Sequence, residues 1–187
     1  MLGQDHPLTL ESLNNLGALY EEMGRFHEGE PMLRFAEEAR RRILGDDHPG
    51  TLDSIGCLGL LLSRMERHEE AEPLLREAVD RSRRVLGSTH PDTLIALFNL
   101  AELLEAMSCG NRALTDEAVA LFEEELRGQI ARDDHEEAAD SARQLRQRLV
   151  RFEMTEKIRE LEAMCEDLGL SLEAATRSSS ESDVESD

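Results

Sequence analysis

A nine-residue motif recurs in this chain at a fixed period of 42 residues. The motif is Leu-Gly-Xaa-Xaa-His-Pro-Xaa-Thr-Leu, and its copies begin at Leu2, Leu44 and Leu86. A period of this length indicates one supersecondary unit stacked on itself, because a single unit cannot bury its apolar face alone. The sequence therefore predicts a repeat array, an architecture that usually offers a long surface to another molecule.

A fourth, degenerate copy of the unit is found when Asp134-His135 is aligned on Asp5-His6. It lacks the proline that follows the histidine in the other copies. We expect it to act as a C-terminal cap, because the terminal units of such arrays need a polar outer face. The predicted organisation is three repeats at 2–43, 44–85 and 86–130, the degenerate fourth at 131–172, and a disordered, acidic, Ser-rich tail at 173–187.

Each unit has the apolar spacing of two amphipathic helices, which we call helix A and helix B. In the first unit, apolar residues recur every three or four positions from Leu10 to Leu19 and again from Met32 to Ile43. The expected fold is an all-α, right-handed solenoid of antiparallel helix hairpins. The predicted helices span 7–23, 27–42, 49–65, 69–84, 91–107, 114–130, 135–151 and 154–168.

Helix A is expected to begin at the His-Pro step, where proline fits the first turn because its missing N–H would have no partner there. The residue before each histidine carries a side-chain oxygen that can accept from free N–H groups at a helix start. We therefore predict that these residues cap helix A. They are Asp5, Asp47, Thr89 and Asp134.

The stretch from Leu13 to Tyr20, Leu-Asn-Asn-Leu-Gly-Ala-Leu-Tyr, is followed by Glu-Gly-Glu-Pro-Met-Leu-Arg and the Leu-Gly-Xaa-Xaa-His-Pro-Xaa-Thr-Leu linker. Together these motifs resemble the 42-residue tetratricopeptide repeat of the kinesin light chain type, strongly over 2–130 and weakly over 131–170. The resemblance implies that helix A of each repeat lines a concave groove for an extended peptide or a partner helix. It also implies that the second asparagine of Asn-Asn bonds the ligand's backbone. The matching positions here are Asn15, Cys57 and Asn99.

The same resemblance implies a set of groove-facing residues on the three A helices. They contain a single base, Arg64, whereas cargo-binding kinesin light chains use basic groove residues for acidic peptides. For Cys57, Leu60 and Phe98, packing inside the array is an alternative to a place in the groove. The set is Glu11, Asn14, Asn15, Ala18 and Glu22 in the first unit, Asp53, Cys57, Leu60 and Arg64 in the second, and Ile95, Phe98, Asn99 and Glu102 in the third.

Acidic residues outnumber basic ones by 41 to 21, which gives a net charge of −20. Phosphate contacts dominate nucleic-acid affinity, so this charge argues against nucleic acid and anionic membranes as partners. It favours a protein or peptide partner of basic or mixed charge, attracted in a salt-dependent way. The alternative is that the acidic surface only aids solubility.

Several function classes find no support in the sequence. Histidines at equivalent positions lie on helices about 8–10 Å apart and cannot share a metal ion, whose ligands lie within about 2.0–2.3 Å of it. No nucleophile motif and no Gly-rich phosphate loop after a strand is present. We therefore expect no catalytic site, no cofactor and no metal.

The chain has no signal sequence and no apolar run of about 18 residues, so we expect it to be soluble and cytoplasmic. Its three cysteines, Cys57, Cys109 and Cys165, are expected to be reduced.

Three functions remain open: a peptide-binding scaffold, which is favoured, a structural or oligomerisation module, and a regulatory fragment of a larger enzyme. The tail carries Ser178, Ser180 and Ser182, each three residues before an acidic one, as at acidophilic kinase sites.

The first helix is expected to leave apolar residues uncovered. We predict that this end is a truncation point continued by further repeats, or the surface of a two-fold homodimer. Its apolar residues are Leu10, Leu13, Leu16, Leu19 and Tyr20.

Overall fold

The computed structural model describes residue 3 and residues 5–172, which form eight α-helices. Every predicted helix is confirmed to within two residues at each end. The predicted tail at 173–187, with its three candidate phosphorylation sites, lies outside the described residues. The helices are α1 (Pro7–Glu22), α2 (Phe26–Leu44), α3 (Pro49–Arg64), α4 (His68–Leu86), α5 (Pro91–Ser108), α6 (Arg112–Ala131), α7 (His135–Arg151) and α8 (Thr155–Leu168).

Consecutive helices pair into four hairpins, numbered 1 to 4 in chain order, each with an A helix followed by a B helix. The B helix of each hairpin packs on the A helix of the next, through the contacts of α2 with α3, α4 with α5 and α6 with α7. Every hairpin therefore packs only on its neighbours in sequence, which confirms the all-α solenoid. The exact repeat boundaries and the capping role of hairpin 4 stay predictions.

The residues that cap the first three A helices are not the predicted ones. His6, His48 and His90 are the N-caps, and the Nδ1 atom of each accepts a hydrogen bond from the backbone N–H two residues on, at 3.2, 3.0 and 3.2 Å. Proline occupies the first helical position and holds the residue before it in extended conformation. The histidine therefore stands at the N-cap, and the expected capping residue lies one position too early.

Two of the residues that we predicted as N-caps form ion pairs instead. Asp5 pairs with Arg42 at 2.7 Å, and Asp47 pairs with Arg81 at 2.7 Å. Hairpin 4 has no proline after its histidine, so α7 begins at the histidine itself. There Asp134 is the N-cap and accepts from the backbone N–H of Glu137 at 3.4 Å. The capping prediction is thus wrong for Asp5, Asp47 and Thr89 and correct for Asp134.

Hairpins 3 and 4 meet around a buried carboxyl group. Glu125 of α6 is 6% exposed, and its Oε1 atom accepts from the Ser141 hydroxyl at 3.0 Å and from the Gln129 amide at 3.2 Å. Burial raises the pKa of Glu125 above its usual value, although both hydrogen bonds oppose the change. A carboxyl with a higher pKa in the folded chain binds its proton more tightly when folded. Its contribution to stability therefore falls as the pH rises through that pKa.

We expect Glu125→Gln to raise the melting temperature at pH 7, because glutamine keeps an acceptor oxygen and carries no charge to desolvate. The difference from wild type should shrink as the pH falls through the raised pKa of Glu125 toward the ordinary glutamate value of 4.5, because the native carboxyl then becomes protonated. Thermal melts across this pH range measure both effects. Glu38→Gln, at an exposed site on α2, serves as the control and should give no comparable gain. A lower melting temperature for Glu125→Gln at pH 7 would contradict the expectation.

Candidate functional site: the A-helix surface

The A helices α1, α3, α5 and α7 form one continuous side of the array, which we call the A-helix surface. Helix α1 contacts α3, and α3 contacts α5, but within the described chain no Cα atom of α7 lies within 8 Å of one in α5. Hairpin 4 is instead attached through α6 and α7. The A-helix surface is therefore closely packed over three helices and opens into a cleft before the fourth.

An apolar pocket of about 200 Å³ lies between α3 and α5, and we call it the α3–α5 pocket. Its floor is formed by Ala78 and Ser82 of α4, and Leu52 and Ala96 add apolar surface at the sides. At its rim Ile95 is 60% exposed, which is unusual for an isoleucine on a packed helix. The pocket brings together five of the predicted groove residues, namely Asp53, Cys57, Leu60, Ile95 and Asn99.

The gap between α5 and α7 forms a larger cavity of about 940 Å³, which we call the α5–α7 cleft. Leu60 lines both cavities, so the α3–α5 pocket and the α5–α7 cleft are adjacent. The predicted residues Arg64 and Glu102 line the cleft as well. From α7, four polar side chains that sequence reasoning missed complete it: Gln144, Gln147, Arg148 and Arg151.

The residues of α7 were missed because the fourth repeat is degenerate. The alignment of His135 on His90 nevertheless contains the signal, since the same offset of 45 residues places Gln144 on Asn99. A glutamine amide has the same donors and acceptors as asparagine on a longer side chain. The series Asn15, Cys57, Asn99 therefore continues onto α7 as Gln144, which is exposed.

A line of ion pairs crosses the A-helix surface from α1 to α5. Arg64 of α3 lies 3.4 Å from the Glu21 carboxylate of α1 and 3.8 Å from that of Glu102 on α5. Burial raises the pKa of Glu21, and the neighbouring Arg64 partly offsets this. Arg64 is half-exposed and makes only loose pairs, so its guanidinium remains available to a bound partner.

Arg148 of α7 links hairpins 3 and 4 through several contacts. Its guanidinium donates to Glu105 at 2.8 Å and to Glu102 at 3.1 Å, both on α5. The same group stacks over the rings of Phe122 and Phe98, at 4.2 and 5.6 Å from their centroids. Burial lowers the pKa of Arg148 from its usual value, while Glu102 opposes this change. The Arg148 side chain therefore bridges α7 and α5 across the cleft.

Phe98 is half-buried and used in packing. Its ring meets that of Phe122 edge to face, with centroids 5.6 Å apart and an interplanar angle of 70°. Phe98 could either line the groove or pack inside the array, and the structure shows the packing contact. The Arg148 guanidinium covers the outer side of the Phe98–Phe122 pair.

Asn14 does not face a groove. It is 3% exposed, and its amide donates to Asp53 at 2.9 Å and accepts from the Ser54 hydroxyl at 2.9 Å. Arg40 of α2 joins the same cluster through Asp53 at 3.0 Å and Ser54 at 2.8 Å. The amide of Asn14 is therefore used in the contact between α1 and α3, and we remove this residue from the predicted set.

The remaining predicted residues of α1 lie apart from both cavities. Glu11, Asn15 and Glu22 are exposed, and Ala18 is half-buried. In hairpin 2, Cys57 is half-buried with its Sγ atom 3.7 Å from the Asn14 amide nitrogen. Burial, reinforced by the charge of Asp53, raises the pKa of Cys57 to about 12, so its thiol is protonated at neutral pH.

The described residues hold no group of three or more His, Cys, Asp or Glu side chains close enough to bind one metal ion. Across the same part of the chain, no helix combines the length and the apolar character needed to cross a membrane. The three cysteines are free thiols. The A-helix surface presents an apolar pocket, amides and charges of both signs.

Comparisons with known proteins agree with this geometry. Two tetratricopeptide repeat family models match the chain, at residues 53–111 and 9–50. Nearly identical TPR-like repeats assigned to a kinesin light chain of Podosopora anserina align with a TM-score of 0.75 and 24% identity, over 90% of this chain and 79% of theirs. A single-substitution variant of those repeats gives a TM-score of 0.74 and 22% identity, over 92% and 80%. BtubC (BKLC) from P. vanneervenii gives 0.70 and 15%, over 92% and 69%. The comparison with curated proteins found no match.

This chain is a tetratricopeptide repeat protein, since the two matched segments together span more than half of its 187 residues. Over nine-tenths of the chain, its hairpins share the fold of the solved TPR-like repeats named above. The resemblance to tetratricopeptide repeats carried by the Leu-Asn-Asn-Leu-Gly-Ala-Leu-Tyr and His-Pro motifs is thereby confirmed. Proteins of this fold commonly act as interaction scaffolds.

Proposed function

We propose that this chain is a scaffold that binds a partner peptide or helix along its A-helix surface. The observation that most directly supports this is the junction at Leu60, where the apolar α3–α5 pocket opens beside the charged α5–α7 cleft. An apolar pocket can hold one side chain of a ligand, while a few polar groups beside it orient the remainder. The exposed Ile95 and the half-exposed Arg64 are the side chains we expect a ligand to cover.

The partner is proposed to be of basic or mixed charge. Besides the two glutamates held by Arg148, the cleft is lined by the bases Arg64 and Arg151, of which Arg151 pairs with Glu105, and by the acid Glu66. This local balance suits a ligand with charges of both signs. The net charge of −20 adds a long-range attraction for basic segments, which salt would weaken. A peptide array that ranges from acidic to basic, probed at low and high salt, would measure this preference.

We also infer that the chain works by binding and not by catalysis. The repeat fold supports this, as does the protonated Cys57 thiol, because the thiolate is the nucleophilic form of cysteine. It stays a prediction from charge that the chain binds neither nucleic acid nor membranes. A cytoplasmic location stays a prediction from hydropathy.

The ligand-binding role that the family resemblance implies for Asn15 and Asn99 can be tested directly. We expect Asn15→Ala combined with Asn99→Ala to weaken peptide binding by about 5- to 150-fold, since each substitution removes a hydrogen bond worth about 0.5–1.5 kcal/mol. Fluorescence anisotropy with the best peptide of the array measures the affinity, and circular dichroism checks that helicity is unchanged.

The control for this variant is Asp80→Ala, at a site on helix α4 that is 80% exposed on the B-helix side. Its affinity for the peptide should stay within about twofold of wild type. Equal affinity of the double variant and the wild type would count against ligand contacts by these asparagines. Failure of the whole array to bind would count against the scaffold function itself and favour a structural module.

A further inference from the structure

The contact between α1 and α3 is filled by a cluster of polar residues. Asn14 of α1 and Arg40 of α2 are both buried, and their side chains meet around Asp53 and Ser54 of α3. The Arg40 guanidinium also donates to the backbone oxygen of Gly50 at 2.7 Å. We call these five residues the α1–α3 cluster. They occupy the space between the two A helices, so no ligand side chain can enter there.

One repeat later, the equivalent residues are different and line the α3–α5 pocket instead. In place of the Asn14 amide and the Arg40 guanidinium, the pocket has the bare backbone of Gly56 and the short side chain of Ser82. A Cβ atom added at Gly56 would meet nothing within 4 Å, so the space stays open. The α3–α5 pocket is therefore the volume that the α1–α3 cluster fills in the preceding repeat. The five residues found 42 positions after the cluster are Gly56, Ser82, Asp92, Ile95 and Ala96, and all of them line the pocket.

The position of Gly56 is occupied again in the third repeat. Phe98 stands 42 residues after Gly56, and its ring packs edge to face on that of Phe122. Among the A helices of the first three hairpins, α3 is thus the one with a glycine at this position. The opening between α3 and α5 is therefore particular to hairpin 2 and does not follow from the repeat pattern.

The rim of the α3–α5 pocket is acidic. Asp53 and Asp92 both line it, and about half of each side chain is exposed. Asp53 is paired with Arg40 at 3.0 Å, whereas the Asp92 carboxylate lies 3.8 Å from the His90 imidazole, which is too far for a hydrogen bond. Among the described residues, none that lines this pocket is a lysine or an arginine. The Asp92 carboxylate is therefore placed to accept from a basic group that a ligand brings to the rim.

We propose that the α3–α5 pocket is the anchor site for the peptide ligand, and that it selects an apolar side chain with a lysine or an arginine next to it in the ligand. This inference rests on the proposed scaffold function and specifies its ligand. A cavity of about 150 Å³ is large enough to enclose a benzene ring. The pocket, at about 200 Å³, therefore accommodates the side chain of a leucine, a methionine or a phenylalanine. Gly56 keeps the site open, and Asp92 favours the basic neighbour.

Selection from a displayed library of random peptides on the full chain tests the proposal. We expect the enriched peptides to share an apolar residue adjacent to a lysine or an arginine. Fluorescence anisotropy with the most enriched peptide then measures affinities. Replacing its apolar anchor by alanine should weaken binding to the wild type at least about tenfold, because the pocket is then left empty. Gly56→Asn should weaken binding of the original peptide to a similar extent, and the alanine peptide should then bind this variant within about twofold of the original.

The basic neighbour is tested with Asp92→Asn, which should weaken binding about three- to fivefold at low salt and less at high salt. Asp53 is not used for this purpose, since its removal would leave the buried Arg40 without its ion pair. Asp80→Asn, at an exposed site on the B-helix side, is the matched control and should bind like the wild type at both salt concentrations.

Circular dichroism establishes that the variants are folded, and Ile95→Ser repeats the test at an exposed wall of the pocket if Gly56→Asn is not. Enriched peptides that lack an apolar residue, or that place an acidic residue beside it, would overturn the proposal. So would a folded Gly56→Asn variant that binds the selected peptide like the wild type. In these cases peptides still bind, so the anchor site fails and the scaffold function stands. Enrichment of no peptide at all would count against the scaffold function itself, and the anchor site would fall with it.

Discussion

Arg148→Ala is expected to loosen hairpin 4 from the rest of the array and to lower the free energy of unfolding by about 2–4 kcal/mol. The substitution removes the guanidinium that is shared by Glu102 and Glu105 and that stacks on Phe122. It leaves Glu105, which is 12% exposed, with the more exposed Arg151 as its remaining ion-pair partner. A chain of this size should lose about 4–16 °C of melting temperature. Hydrogen exchange should show the loss of protection concentrated in α7 and α8, because no backbone contact joins α7 to α5.

Arg146→Ala is the matched control for this experiment. Arg146 lies two residues earlier on the same helix and pairs with Glu162 at 2.7 Å, but both side chains are more exposed, at 43% and 37%. A solvated pair of this kind contributes about 1 kcal/mol or less. Similar losses for the two variants would show that Arg148 contributes only as an ordinary surface charge and does not clamp the cleft.

Gly59→Ala is expected to destabilise the array by about 1–3 kcal/mol, although alanine is the better helix former by about 1 kcal/mol. A Cβ atom at Gly59 would lie 2.7 Å from a methyl carbon of Leu75 and 2.8 Å from its Cγ atom. Leu75 is 0% exposed and has no space to withdraw, so helices α3 and α4 would have to separate. Chemical denaturation with circular dichroism as the signal measures the change.

The control for Gly59→Ala lies on the same helix. A Cβ atom added at Gly56 would meet nothing within 4 Å outside its own stretch of helix. Gly56→Ala therefore changes only the helix propensity and should stabilise the chain by up to about 1 kcal/mol. The two substitutions are chemically identical, three residues apart, and are expected to differ in sign. Two changes of the same sign would mean that close approach of α3 and α4 does not decide the stability at Gly59.

The helices could be predicted from the sequence because their signals are local. The His-Pro steps mark helix starts, and the apolar spacing from Leu10 to Leu19 and from Met32 to Ile43 marks two helices per unit. The one local error concerned the caps, where the position of proline decides which residue is the N-cap. The set of groove residues was predicted less well. Asn14 and Asn15 are neighbours of the same type, but one is buried and the other exposed, and only their place relative to α3 distinguishes them.

The sequence by itself therefore determined the repeat, its period and the eight helices, since each depends on residues within a few turns of one another. The tertiary structure decided how far residues of one helix and equivalent residues of successive units differ in exposure. Leu10, which we expected to be uncovered together with Leu16, is only 2% exposed. Leu16 and Leu58 occupy the same position in successive units, yet 39% of one and 2% of the other is exposed, because hairpin 1 packs on the second. In the same way, the distance of α7 from α5 opens the cleft that Arg148 spans. Burial is set by what packs on a helix, and a repeated sequence does not contain that difference.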